Sequence, residues 1–171
     1  MMIKTWFICS ALILAVAACS DDSPPPENAP FLGDWETVDG TGTFSCDDGQ
    51  VGGLTATPGY ILTLNPGTED TDVTVELRDD CALAGFRTHH GLLSNTEDGV
   101  CSYTTQHPTY GRVDTNVVQA AGTTFIVNDE VECPTLQETG VRKYDFLYVD
   151  YQDGFRLKCT LTYQISYRKC S

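Results

Sequence analysis

The chain has 171 residues, with 10 Lys and Arg against 24 Asp and Glu and a formal net charge of −14. That length fits one domain with short appendages. The acidity excludes nucleic acid as a partner of the domain surface, because both would carry the same sign.

The first segment is a leader. Lys4 precedes an apolar run over residues 8–18 that ends in the small residues Val16-Ala17-Ala18 before Cys19. A basic end, a short apolar stretch and small residues at a cut site have the layout of a secretory signal. The run falls short of the ~20 residues that span a bilayer. Residues 1–18 are therefore read as a signal peptide. Residues 19–30 follow as a tether, with Pro24-Pro25-Pro26 favouring an extended spacer and Asp21, Asp22 and Glu27 keeping it solvated. The folded domain is expected over residues 31–171.

Within that domain the pattern is β throughout. Residues 33–38 read as a first strand. Asp39-Gly40 has the form of a hairpin turn, and residues 41–46 return. Alternation of apolar and polar residues marks strands over 60–65 and 73–78, and a further strand is expected over 81–87. Residues 89–99 and 132–140 read as loops, with strands over 100–105, 112–118 and 122–128 between them. At the end, Tyr144, Phe146 and Tyr148 share one face. After Gln152-Asp153-Gly154, Phe155, Leu157, Cys159, Leu161, Tyr163, Ile165 and Tyr167 occupy every second position. A period of two over that length describes one long strand with a buried and a wet face, expected to bend or bulge midway. The expected fold is all-β, an antiparallel up-and-down barrel, with a β-sandwich as the alternative. Closure removes the unpaired edges of an exported sheet.

Of eight cysteines, Cys9 lies in the leader and Cys19 at its end. The other six, Cys46, Cys81, Cys101, Cys133, Cys159 and Cys170, are an even set in an exported chain and read as three disulfides. Six cysteines allow fifteen pairings. A mostly sequential pattern is the expectation, since consecutive antiparallel strands lie side by side. No pair is spaced Cys-x-x-Cys, so redox and zinc-knuckle chemistry lack their signature. No Gly-x-Ser-x-Gly or Ser-x-x-Lys turn surrounds a serine. His89-His90 and His107 read as solvated loop residues, and Asp47-Asp48, Glu69-Asp70-Thr71-Asp72 and Asp129-Glu130 as exposed turns. No metal, cofactor or catalytic residue is assigned. The last thirty residues carry six basic groups (Arg142, Lys143, Arg156, Lys158, Arg168, Lys169), expected to lie beside acidic neighbours within one sheet.

Val16-Ala17-Ala18-Cys19 resembles the lipobox of bacterial lipoproteins. The resemblance implies that Cys19 is acylated and becomes the first mature residue. Two or more acyl chains anchor stably. Ser20 in place of Asp at the next position implies sorting to the outer membrane. Gly33-x-Trp35 on the first strand, with Arg156 and Arg168 on the last, resembles the calycin group: lipocalins, avidins and small bacterial metalloprotease inhibitors. There the indole packs under an arginine of the last strand at the barrel floor, which implies that role for Trp35 and for Arg156 or Arg168. The layout is also similar to that of lipoproteins of predatory and soil deltaproteobacteria. Together these imply a lipid-anchored, non-catalytic envelope protein that binds a small apolar ligand or an extracellular protein, the latter in the manner of an inhibitor. The alternative is a structural coat lipoprotein.

Overall fold

The computed structural model describes residues 24–78 and 80–170. The stretch read as leader, Cys19 and the first residues of the stretch read as tether lie outside the described residues. Eleven strands and no helix occur among the described residues. They are β1 (Gly33–Cys46), β2 (Val51–Thr55), β3 (Ile61–Pro66), β4 (Asp72–Arg78), β5 (Cys81–His89), β6 (Leu92–Asn95), β7 (Gly99–His107), β8 (Gly111–Gln119), β9 (Thr124–Asn128), β10 (Thr135–Tyr148) and β11 (Phe155–Arg168).

Eight of these close a barrel. Going round the wall, β1, β3, β4, β5, β6, β9, β10 and β11 are each antiparallel to the next, and β11 returns to β1. Barrel strands follow chain order, so the topology is up-and-down, and the sandwich alternative is set aside. The remaining strands are excursions. β2 folds back on the far half of β1, and the β7–β8 hairpin pairs through β8 with the far half of β10.

Three strands are too long for the barrel. β1, β10 and β11 have 14 residues each, which at about 3.4 Å per residue is over 40 Å. Their near halves form barrel wall. Their far halves run on past it and, with β2, β8 and β7, make a flared sheet. The face of that sheet carrying Phe44, Tyr144, Phe146 and Leu157 continues the inner face of the barrel, because side chains alternate without interruption along β10 and β11. β11 carries no bulge against β10: all fourteen of its residues pair in register. The irregularity lies on its other partner, β1, between Thr37 and Asp39. Asp39-Gly40 is accordingly not a hairpin turn but part of a continuous β1. Gly40 is needed there because a Cβ would sit 2.9–3.0 Å from Ala56, the Gln164 carbonyl and Ile165.

Two further expectations are corrected. Residues 89–99 contain β6, a short strand entered through His90 and Gly91, both at positive φ. Residues 132–140 are mostly the start of β10.

The barrel interior is filled. Phe31, Trp35, Leu62, Leu64, Val73, Val75, Leu83, Phe86, Leu93, Phe125 and Leu136 are all at most 1% exposed. Phe86 and Phe125 meet edge to face with centroids 5.5 Å apart, a favoured aromatic geometry. Burying each large apolar side chain stabilises the fold by roughly 1.5–3 kcal/mol.

The disulfides tie the parts together, and only Cys81–Cys101 joins cysteines consecutive in the chain. Cys46–Cys159 joins β1 to β11 within the flare, Cys81–Cys101 joins the rim at β5 to the β7 hairpin, and Cys133–Cys170 staples the floor. The other two depart from chain order because the first strand closes onto the last, bringing Cys46 to Cys159, and because Cys133 and Cys170 flank the paired open ends of β10 and β11.

Candidate functional site

The floor is closed by the end of the stretch read as tether. Residues 27–31 form turns, and Asn28 is buried, bonded through its backbone N–H to the Asp70 carbonyl (3.1 Å) and through Nδ2 to the Asp72 carbonyl (2.9 Å). The fold therefore begins before Phe31. Trp35 is fully buried and donates its indole N–H to the Phe31 carbonyl at 2.6 Å. A cation does cover the indole, but it is neither of the expected arginines. Lys169 Nζ lies 5.5 Å from the ring centre, within cation–π range, and donates to the Leu32 carbonyl. Gly33, at φ +106°, makes room for it: a Cβ there would meet Nζ at 2.8 Å. Arg168 points outward and pairs with Glu36 (3.1 Å), and Arg156 lies far up the flare, paired with Asp145 (2.6 Å). The parity of β11 explains this. Arg156 and Arg168 share the wet face, whereas Lys169 follows the strand's end.

The other candidates of the sequence fall into structural roles. His107 Nδ1 accepts the Thr109 and Tyr110 N–H groups and organises the β7–β8 turn. The rings of His89 and His90 lie 4.0 Å apart at an exposed turn. Asp47 accepts the Lys158 N–H, Asp48 accepts the Gln50 N–H, and Asp72 pairs with Arg87. Among the described residues no three His, Cys, Asp or Glu side chains are grouped to hold a metal ion. Cys46, Cys81, Cys101, Cys133, Cys159 and Cys170 are all in disulfides.

The chemistry of interest lies where the barrel opens into the flare. Glu138, on β10, is 0% exposed. Its Oε1 accepts from Arg142 Nη2 at 2.7 Å and from the Tyr163 hydroxyl, and its Oε2 accepts from the Tyr167 hydroxyl at 2.6 Å. Arg142 also donates Nε to Gln119 Oε1 at 2.7 Å and stacks over the Tyr163 ring at 4.7 Å. Gln119 in turn bonds Thr123 and the Val141 carbonyl. Gly140 permits this packing, since a Cβ there would collide with Thr123 and crowd Gln119. A buried carboxylate with three donors and a guanidinium partner meets the condition under which buried charge is tolerated.

The electrostatics follow. Burial, then the Glu138 charge, push the Tyr163 and Tyr167 hydroxyls far above the ordinary tyrosine range, so both remain donors. Burial works against the Arg142 charge, but the Glu138 carboxylate together with the surrounding tyrosines Tyr163, Tyr144 and Tyr167 outweighs it, so the guanidinium stays charged.

Directly above this cluster is a cavity of about 350 Å³. Its far wall is the barrel rim with Tyr60, Leu77 and Arg78, and its near wall is the flared sheet with Tyr103, Arg142 and Tyr144. The Tyr60 hydroxyl donates to the Leu77 carbonyl, and Arg78 lies 4.2 Å over the Tyr103 ring. Farther up the same face, Phe44, Leu54, Tyr144, Phe146, Leu157 and Leu161 line an apolar groove.

Sequence reasoning missed Glu138, Arg142 and Gln119. Their signal was present: Leu136, Glu138, Gly140, Arg142, Tyr144, Phe146 and Tyr148 occupy every second position. Two charges on the inner face hid the period.

The fold and this site define an eight-stranded antiparallel barrel with a plugged floor, a filled lumen and a half-open polar-aromatic mouth. No protein-family model, curated protein or solved structure matches the chain.

Proposed function

We propose that this protein is a cell-envelope lipoprotein, anchored through acylated Cys19, whose barrel binds a small, largely apolar ligand in its mouth without catalysis. The observation that carries the reading is the 350 Å³ cavity where the filled lumen meets the flare, walled by Tyr60, Tyr103, Tyr144 and Tyr167 together with aliphatic side chains. Binding sites are concave, mostly apolar and supplied with a few oriented polar groups. Tyrosine walls suit this because a ring gives large contact area while its hydroxyl stays satisfied. Three disulfides hold the wall, the flare and the floor in place, which reduces the ordering cost of binding. Contact with an extracellular protein is a second reading, favoured by the apolar groove along Phe44, Phe146 and Leu161.

The test is equilibrium dialysis of the full-length protein in nanodiscs against neutral two-ring probes (2-naphthamide, indole and N-phenyl-1-naphthylamine), with empty nanodiscs as the blank. Retention at one probe per protein, lost when the exposed cavity residue Thr57 is changed to Trp, is expected. Retention no greater than the blank for all three overturns the ligand reading.

A further inference from the structure

We infer that the ligand of the mouth cavity carries an anionic group, and that Arg142 receives it. The inference rests on the ligand reading above and deepens it. Charge placement is the first observation. The chain has more than twice as many acids as bases, yet the cavity lining among the described residues includes two arginines, Arg78 and Arg142, and no carboxylate.

The second observation is the direction of the buried pair. Glu138 is sealed beneath the cavity with both oxygens occupied by donors. The Arg142 side chain is 13% exposed against 1% for that of Glu138. Although the pair is neutral as a whole, its positive end faces the opening. Attraction to a ligand anion outweighs repulsion from the deeper carboxylate, because interaction energy falls with distance.

Donor accounting is the third. Arg142 spends Nε on Gln119 and Nη2 on Glu138, while Nη1 has no hydrogen-bond partner among the described residues. An arginine held rigid by a carboxylate, an amide and an aromatic ring, with a free donor edge in a cavity it lines, is pre-organised for charge-assisted hydrogen bonding. Anchoring from three sides means little side-chain freedom is lost when the anion arrives. The tyrosine and aliphatic walls suit the apolar body attached to that group. The ligand class is thus a small apolar acid, either a carboxylate or a sulfonate on an aromatic or short aliphatic body.

The experiment compares 2-naphthoate with 2-naphthamide, which share size and shape and differ in charge, on the same nanodisc-embedded protein. Naphthoate is expected to bind about tenfold tighter or more, the increment of one charge-assisted hydrogen bond. In the double variant Arg142→Met with Glu138→Gln, which avoids stranding a buried carboxylate, naphthoate should lose its advantage and the two affinities should converge. Equal affinities in the unaltered protein would overturn the anion inference and leave the ligand reading standing. Binding of neither naphthoate nor any of the neutral probes would overturn both. A preference that survives the double variant but disappears in Arg78→Gln would overturn the assignment to Arg142. Should the double variant fail to fold by circular dichroism, the comparison in the unaltered protein decides the anion preference, and Arg142→Lys tests the residue. A fall in the naphthoate advantage supports Arg142, and an unchanged advantage counts against it.

Discussion

Glu138 is the residue on which the upper barrel is organised. Its carboxylate gathers Arg142, Tyr163 and Tyr167 from two adjacent strands, and Gln119 joins through Arg142. The two tyrosines carry a consequence for alkaline stability. Their folded-state ionisation is raised by burial and by Glu138, whereas in the unfolded chain they ionise near 10. Their contribution is complete below about pH 10 and is lost as pH rises toward the folded values, because there the unfolded state alone releases protons. Stability should therefore fall above pH 10 by up to about 1.4 kcal/mol per pH unit for each of the two. Denaturant midpoints measured from pH 9 to 11.5 should show this, with a shallower slope in Tyr167→Phe. An unchanged slope in that variant would contradict the burial of the hydroxyl. At this scale the sequence disclosed the inward face of Tyr163 and Tyr167 through their period on β11. It did not disclose Glu138, because a charge at an inward position reads as a loop until the partners that neutralise it are known.

The decisive element is the β10–β11 hairpin. One half is barrel wall and the other half is the spine of the flare. The barrel half is held by a filled lumen, but the flared half has one partly open apolar face and depends more on its disulfide. Cys46–Cys159 spans 113 residues of sequence, so removing it frees a long loop in the unfolded chain. Replacing both cysteines by Ala should lower stability by about 2–4 kcal/mol. Amide exchange should accelerate over residues 41–46 and 155–161 while the amides of β3 and β4 keep their rank. A uniform acceleration would show that the flare is not a separable unit. β11 was legible because nothing interrupts its alternation. β6 was not, since four residues between an exposed His-Gly turn and an acidic loop carry too short a period. Asp39-Gly40 misled for another reason: its glycine answers a close approach by β11, a cause that local sequence does not contain.

As a whole molecule, the protein is an acidic barrel with its rim, flare and floor covalently fixed, and the floor lies at the end where residues 27–31 dock. With Asn28 and Phe31 docked there, a lipid at Cys19 would place the floor toward the membrane and the mouth away from it, accessible to ligand. Changing Cys19 to Ala should move the protein from the membrane to the soluble fraction on cell fractionation, with the barrel's circular dichroism unchanged. Retention in the membrane fraction would remove the anchor from the proposal. The β class, the six oxidisable cysteines and the wet and buried faces of the last strand were determined by sequence alone, because each follows from residue type and a period of two. The disulfide partners, the lysine over Trp35, the flare beyond the barrel and the arginine-bearing mouth were decided only by tertiary structure. Each depends on which distant strands become neighbours, and that is settled when the sheet closes on itself.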